Sequence, residues 1–137
     1  MPLVLDSSIS LVWAFEDEDD PLAAAVVQML DGDVARVSAI WPLEMTNALL
    51  AGERRGRITD DEIRRFRSFL RTITIEVDLP SISTTFDIVL GLALQLNLST
   101  YDASYLELAQ RLGLPLATLD RRLAAAAQSL GVGLVVS

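Results

Sequence analysis

The feature that most constrains this chain is a regular alternation of short Val/Leu/Ile runs with segments of helical periodicity. The runs at residues 2–5, 35–39, 72–77, 114–118 and 133–136 read as strands. Between them, residues 7–15, 21–30, 42–55, 59–71, 83–96, 100–112 and 120–130 read as helices. A strand that returns through a helix lies parallel to its predecessor, and a parallel sheet needs helices on both faces. The expected fold is therefore α/β: a three-layer sandwich with a central parallel sheet of about five strands, in one domain spanning residues 1–137.

Local punctuation agrees with these boundaries. Pro21 and Pro42 stand near first helical positions, where a missing N–H costs nothing. Gly56, Gly113 and Gly131 stop helices, and Thr59 with Glu62 forms a capping box. Ser7 or Ser8, Ser83 or Thr84, and Thr100 or Tyr101 are the expected starts of three others. Residues 16–20 form an acidic loop, and Trp13, Phe15 and Trp41 are expected in the core or an interface.

The chain has 137 residues, of which 51% are apolar, enough to fill a core. A mean hydropathy of +0.38 suits a sheet buried on both faces, or apolar surface covered by a partner. The most apolar stretch, residues 88–98, is about half the length of a membrane span. With no basic leader and no cysteine, the expected location is the cytoplasm.

What is missing narrows the chemistry further. The chain has no cysteine, no histidine and no lysine; all eleven basic residues are arginine. A Ser-His-Asp triad, a thiol nucleophile, a zinc–thiolate centre, a histidine acid/base pair and a lysine phosphate loop are all excluded. Proton transfer at neutral pH falls to carboxylates, tyrosine or metal-activated water. The net charge of −8 also opposes bulk electrostatic attraction to nucleic acid, although seven of the eleven arginines lie between Arg54 and Arg71.

Four acids occupy informative places. Asp6 ends the first strand, Asp120 follows the fourth, and Asp102 and Glu44 fall in first helical turns, with Asn47 one turn beyond Glu44. Ligands of open parallel sheets bind beyond the carboxyl ends of the strands, where strand order reverses. Taken singly, Asp6, Asp102 and Asp120 also read as helix caps, and Glu44 as charge complementarity with a helix N-terminus. Taken together, converging acids repel one another, and a divalent cation relieves that repulsion. An oxygen-only ligand set selects a hard ion, Mg²⁺ or Mn²⁺.

Four segments carry a resemblance: Val4-Leu5-Asp6-Ser7-Ser8; Pro42-Leu43-Glu44 with Asn47-Ala48-Leu49; Leu98-Ser99-Thr100-Tyr101-Asp102-Ala103 with Tyr105-Leu106-Glu107-Leu108-Ala109; and Leu116-Ala117-Thr118-Leu119-Asp120-Arg121-Arg122-Leu123. In this order and spacing the chain resembles the PIN-domain ribonucleases, specifically the VapC toxins of VapBC toxin–antitoxin pairs. The resemblance implies that Asp6, Glu44, Asp102 and Asp120 hold Mg²⁺ or Mn²⁺ and are catalytic, with Ser7 and Thr118 supporting them. It implies endonucleolytic RNA cleavage by metal-activated water, a homodimer and a cognate antitoxin. Arg121 and Arg122, beside Asp120, read either as contacts to the substrate phosphate or as surface charges. The Arg54–Arg71 cluster reads either as a solvated face paired with Glu53, Asp60, Asp61 and Glu62, or as a face for RNA or antitoxin.

Rival acidic-pocket folds fit less well. A phosphoacceptor receiver needs a lysine that this chain lacks. A haloacid-dehalogenase-type phosphatase needs a second Asp two residues after Asp6, where Ser8 stands. A noncatalytic metal- or nucleotide-binding module is the remaining alternative.

Overall fold

The computed structural model describes residues 1–137. Its elements follow the expected alternation: β1 (Leu3–Leu5), α1 (Ser7–Ala14), α2 (Pro21–Met29), β2 (Val34–Ser38), α3 (Trp41–Arg54), α4 (Asp60–Leu70) and β3 (Thr74–Asp78). Then α5 (Ile82–Thr84), a π-helical turn (Thr85–Val89) and α6 (Leu90–Leu96) run on in succession, followed by α7 (Thr100–Leu112), β4 (Leu116–Ala117) and α8 (Arg121–Ser129). No single helix is long and apolar enough to cross a membrane.

The sheet is parallel with strand order β3-β2-β1-β4. It has four strands. The fifth expected strand reduces to a single parallel bridge, Leu116 to Leu134, extended by the Val135 amide donating to the Leu116 carbonyl at 2.9 Å. Gly131 and Gly133 flank this tail, and glycine disfavours a continuous extended ladder.

Leu3, Val4 and Leu5 are all completely buried. Successive strand residues point to opposite faces, so both faces of β1 are covered. Helix α7 packs on β1, β2 and β4 and meets α6 and α8, whereas α1 gathers α2, α3 and α4. Phe15 and Trp41 are buried in the core, and half-buried Trp13 meets Phe69 edge-on at 5.8 Å while its indole N–H donates to the Ala23 carbonyl.

Two helix caps differ from expectation. Asp6, not Ser7 or Ser8, occupies the N-cap position of α1 and makes no side-chain capping bond. Ser81, rather than Ser83 or Thr84, caps α5, because its hydroxyl reaches the Thr84 amide first. Helix α7 starts at Thr100 as expected, with Ser99 as its cap. The Thr59–Glu62 capping box is present as expected.

Candidate active site

The strand order places the site. The chain winds outward from β1 to β2 and β3, then crosses back to add β4 on the other side of β1. The carboxyl ends of β1 and β4 therefore flank the reversal of strand order, the usual crevice for ligands in an open parallel sheet. Asp6 follows β1, and Asp120 follows β4 as the N-cap of α8.

Asp6 is buried, at 5% exposure. Its Oδ2 accepts from Ser8 Oγ at 2.6 Å and from Thr118 Oγ1 at 2.7 Å. Thr118 Oγ1 in turn accepts the Asp120 amide at 3.0 Å, and Ser8 Oγ accepts the Leu119 amide at 2.9 Å. Two hydroxyls thus stitch the ends of β1 and β4 together and fix one oxygen of Asp6, while its Oδ1 carries no hydrogen bond. Thr118 stands where the sequence reading placed a supporting hydroxyl; Ser8, read there only as a possible helix cap, joins it on Asp6, and Ser7 acts on Glu44 instead. A hydroxyl two residues after an aspartate can reach back to the carboxylate, the local signal by which Ser8 could have been found.

Asp120 does cap its helix: its Oδ1 accepts the Arg122 and Leu123 amides at 2.9 and 3.1 Å. That commits one oxygen and leaves the other. Asp102 is not a cap, because Ser99 Oγ takes that role and accepts the Asp102 amide at 3.1 Å. The capping explanation therefore covers half of one acid, Asp120, and neither Asp6 nor Asp102.

Glu44 enters from α3. The indole N–H of Trp41 donates to Ser10 Oγ at 2.9 Å, and Ser10 Oγ lies 3.2 Å from the Ser7 carbonyl, which locks the start of α3 to α1. Glu44 Oε1 then accepts a hydrogen bond from the hydroxyl of Tyr105 on α7. Burial holds the Glu44 carboxyl above its usual pKa of 4.5, Tyr105 and Ser7 oppose that shift, and the charges of Asp6 and Asp102 add to it. Asp102 is likewise held above 3.8, by burial first and then by Asp120 and Asp6, with Arg122 opposing. The Tyr105 phenol is pushed far up by burial and by Glu44, so it remains a donor. Asp6 and Asp102 thus act on Glu44, and Asp6 and Asp120 on Asp102, which places the four acids within electrostatic reach of one another. Asn47 is exposed one turn along α3.

The donor set suits a hard divalent cation in its chemistry: oxygen ligands only, and negative charges that repel until neutralised. No three of the acids stand at mutual spacing to enclose an ion. An ion here would be held by one or two of these carboxylates directly, with water in its remaining positions, the usual habit of Mg²⁺.

The arginines divide. Arg122 donates to the Asn97 carbonyl at 2.7 Å and lies near enough to Asp102 to oppose its shift, whereas Arg121 is exposed. In the basic cluster, Arg57 pairs with Asp17 and Glu18, Arg65 with Glu16, and Arg64 with Asp61. The acidic loop is thus a counter-charge for α4 and the turn before it, a role that local spacing alone did not reveal. Arg64, Arg67 and Arg71 line a small polar cleft. The largest cleft, about 550 Å³, is apolar, lies against α3 and α4 with Trp41, Leu49 and Phe66 in its wall, and contains none of the four acids. Its chemistry is that of packing.

Comparison with known proteins agrees with this geometry. The PIN domain family model matches residues 3–129. Ribonuclease VapC3 of Pyrobaculum aerophilum is 30% identical over 125 residues, which cover 90% of this chain and 93% of the relative. The crystal structure of PAE2754 from Pyrobaculum aerophilum matches with a TM-score of 0.69 at 26% identity, over 92% of this chain and 79% of that one. FitAcB from Neisseria gonorrhoeae shares the fold, with a TM-score of 0.65 at 16% identity over 99% and 97% of the two chains. Fold, site placement and sequence similarity lead to one conclusion: the chain belongs to the PIN-domain family, as a relative of the VapC ribonucleases.

Proposed function

We propose that this chain, as a single PIN domain, is a Mg²⁺- or Mn²⁺-dependent endoribonuclease and the toxin of a VapBC-type pair. The observation that carries the reading is the electrostatic coupling of Asp6, Glu44, Asp102 and Asp120 at the reversal of strand order, in a chain with no histidine, lysine or cysteine to do other chemistry.

Asp6 and Asp120 each offer one oxygen outside their fixed hydrogen bonds and would hold the ion directly; Asp102 would reach it through a bound water. The bound ion supplies Lewis-acid stabilisation of charge on the scissile phosphate. Glu44, whose carboxyl favours a proton more than usual, takes one from the attacking water, while Tyr105 fixes its other oxygen. Arg122 faces the substrate phosphate beside Asp102.

Attack by water leaves 5′-phosphate and 3′-hydroxyl ends. Incubation with single-stranded RNA in Mg²⁺ or Mn²⁺ should give those ends, and excess chelator should stop cleavage. A 2′,3′-cyclic phosphate, or full activity in chelator, overturns the mechanism. A cognate antitoxin, once isolated, should silence the same reaction.

The toxin reading also carries a homodimer. Ile82, Phe86, Leu90 and Leu94 recur at four-residue spacing along the α5–α6 helix and are 79%, 68%, 41% and 76% exposed. Such a ridge on a chain of this size suits a second copy of itself. Sedimentation at micromolar concentration should give twice 14.9 kDa, and a monomer would refute it.

A further inference from the structure

The four acids do not explain how a chain of net charge −8 holds RNA. Phosphate contacts normally supply most nucleic-acid affinity, and here bulk electrostatics oppose it. Contacts that are indifferent to charge then carry a larger share of the affinity, and base stacking is a strong one.

Next to Asp102 lies a cleft of about 300 Å³, lined among others by Ile40, Pro80, Thr85, Val89, Thr100 and Tyr101. None of the four acids lines it, but Tyr101, which does, directly precedes Asp102 in the chain. Tyr101 is 59% exposed. A large ring left in solvent on the first turn of α7 is available as a platform, and the backbone that carries it is anchored. Ser104 Oγ donates to the Tyr101 carbonyl at 2.6 Å. The proton of Ser104 is thereby used, so the 2.6 Å contact between Ser38 Oγ and Ser104 Oγ is a bond donated by Ser38. This chain of hydroxyls ties the Tyr101 turn to the end of β2.

The opposite wall is the π-helical turn Thr85–Val89, which supplies Thr85 and Val89 to the cleft. A π turn inserts an extra residue into a helix, displaces the side chains that follow and is common at functional sites. The lining mixes apolar atoms with hydroxyls from Thr85, Thr100, Ser38 and Ser104. That combination suits a flat heteroaromatic ring with polar edges, and the volume sits at the small end of ligand sites.

We propose that this cleft is a nucleobase subsite in which Tyr101 stacks on one unpaired base adjacent to the scissile phosphate. The assignment rests on the ribonuclease reading and deepens it. It makes the substrate single-stranded at the cut, because a paired base cannot leave its stack to enter the cleft.

The test uses the full-length chain, Mg²⁺ and single-stranded twelve-residue RNA of randomised sequence. KM and the base distribution at the product ends are read for the wild-type chain, Tyr101→Ala and Tyr101→Phe. Loss of one stacking contact should raise KM about tenfold and flatten the base distribution at one position beside the cut. Tyr101→Phe, which keeps the ring, should retain both wild-type values. A Tyr101→Ala chain with wild-type KM and base distribution overturns the subsite while leaving the ribonuclease reading intact. So does a Tyr101→Phe chain that behaves like Tyr101→Ala. A wild-type chain that cleaves none of the RNA sinks the ribonuclease reading, and the subsite with it.

Discussion

Asp6→Asn should reduce RNA cleavage by about a thousandfold or more while leaving the chain folded. The expected size follows from losing several kcal/mol of transition-state charge stabilisation, at about 1.4 kcal/mol per tenfold in rate. The expected tolerance follows from the hydrogen bonds. Both partners of Asp6, Ser8 and Thr118, donate to the same oxygen, Oδ2. The amide oxygen of asparagine can accept both in that place, and the substitution then changes only the other oxygen, which has no protein partner. Asparagine also removes one of the charges that raise Glu44 and Asp102. In the absence of divalent ions the variant should therefore melt no lower than the wild-type chain. Retained cleavage would show that Asp6 is not part of the catalytic group. Loss of cleavage together with loss of the circular dichroism of the native fold would show that its role is structural.

Divalent ions should raise the melting temperature of the wild-type chain, and by more as the pH rises. Glu44 and Asp102 are both held above their ordinary values by burial and by neighbouring negative charge. The folded metal-free chain then binds more protons than the unfolded chain between the ordinary and the raised values, so its stability falls as the pH climbs through that interval and stays reduced above it. A bound cation cancels the repulsion that causes the shift. It also stabilises by mass action, about 2.7 kcal/mol at a hundred times its dissociation constant. Calorimetry in chelator and in Mg²⁺ or Mn²⁺ across the acid-to-neutral range measures both effects. Equal melting temperatures with and without the ion, or a gap that closes with rising pH, would remove the case for a shared ion site. Asp6→Asn should narrow the gap, which links the two experiments through one residue.

Elements set by local rules were legible in the sequence. The alternation of strand and helix, the Thr59–Glu62 capping box and the position of Asp6 at a strand end depend on neighbours a few residues away. The features that were not legible depend on distant parts of the chain. Tyr105 donates to Glu44 across 61 positions, and Arg65 meets Glu16 across 49. Nothing in the local spacing of either pair announces the meeting. The final strand shrank to one bridge because pairing strength depends on what lies alongside, which a hydrophobic pattern does not report. The caps of α1 and α5 were misplaced for a simpler reason: several polar side chains compete at each of these helix starts, and geometry chooses among them. The four acids were visible as a set, and the hydroxyls Ser8 and Ser104 that hold their surroundings in place were not.

The bond from Thr118 to Asp6 spans 112 positions. During synthesis β1 is made before β4, and it cannot acquire its second neighbour until that distant strand has followed it. Domains generally form as units while the N-terminus waits for its partners. A site organised in this way stays incomplete while only the first part of the chain exists. The winding of the sheet thus acts as a delay: a chain made only as far as β3 lacks Thr118 and Asp120, and the acids come together only once β4 joins β1.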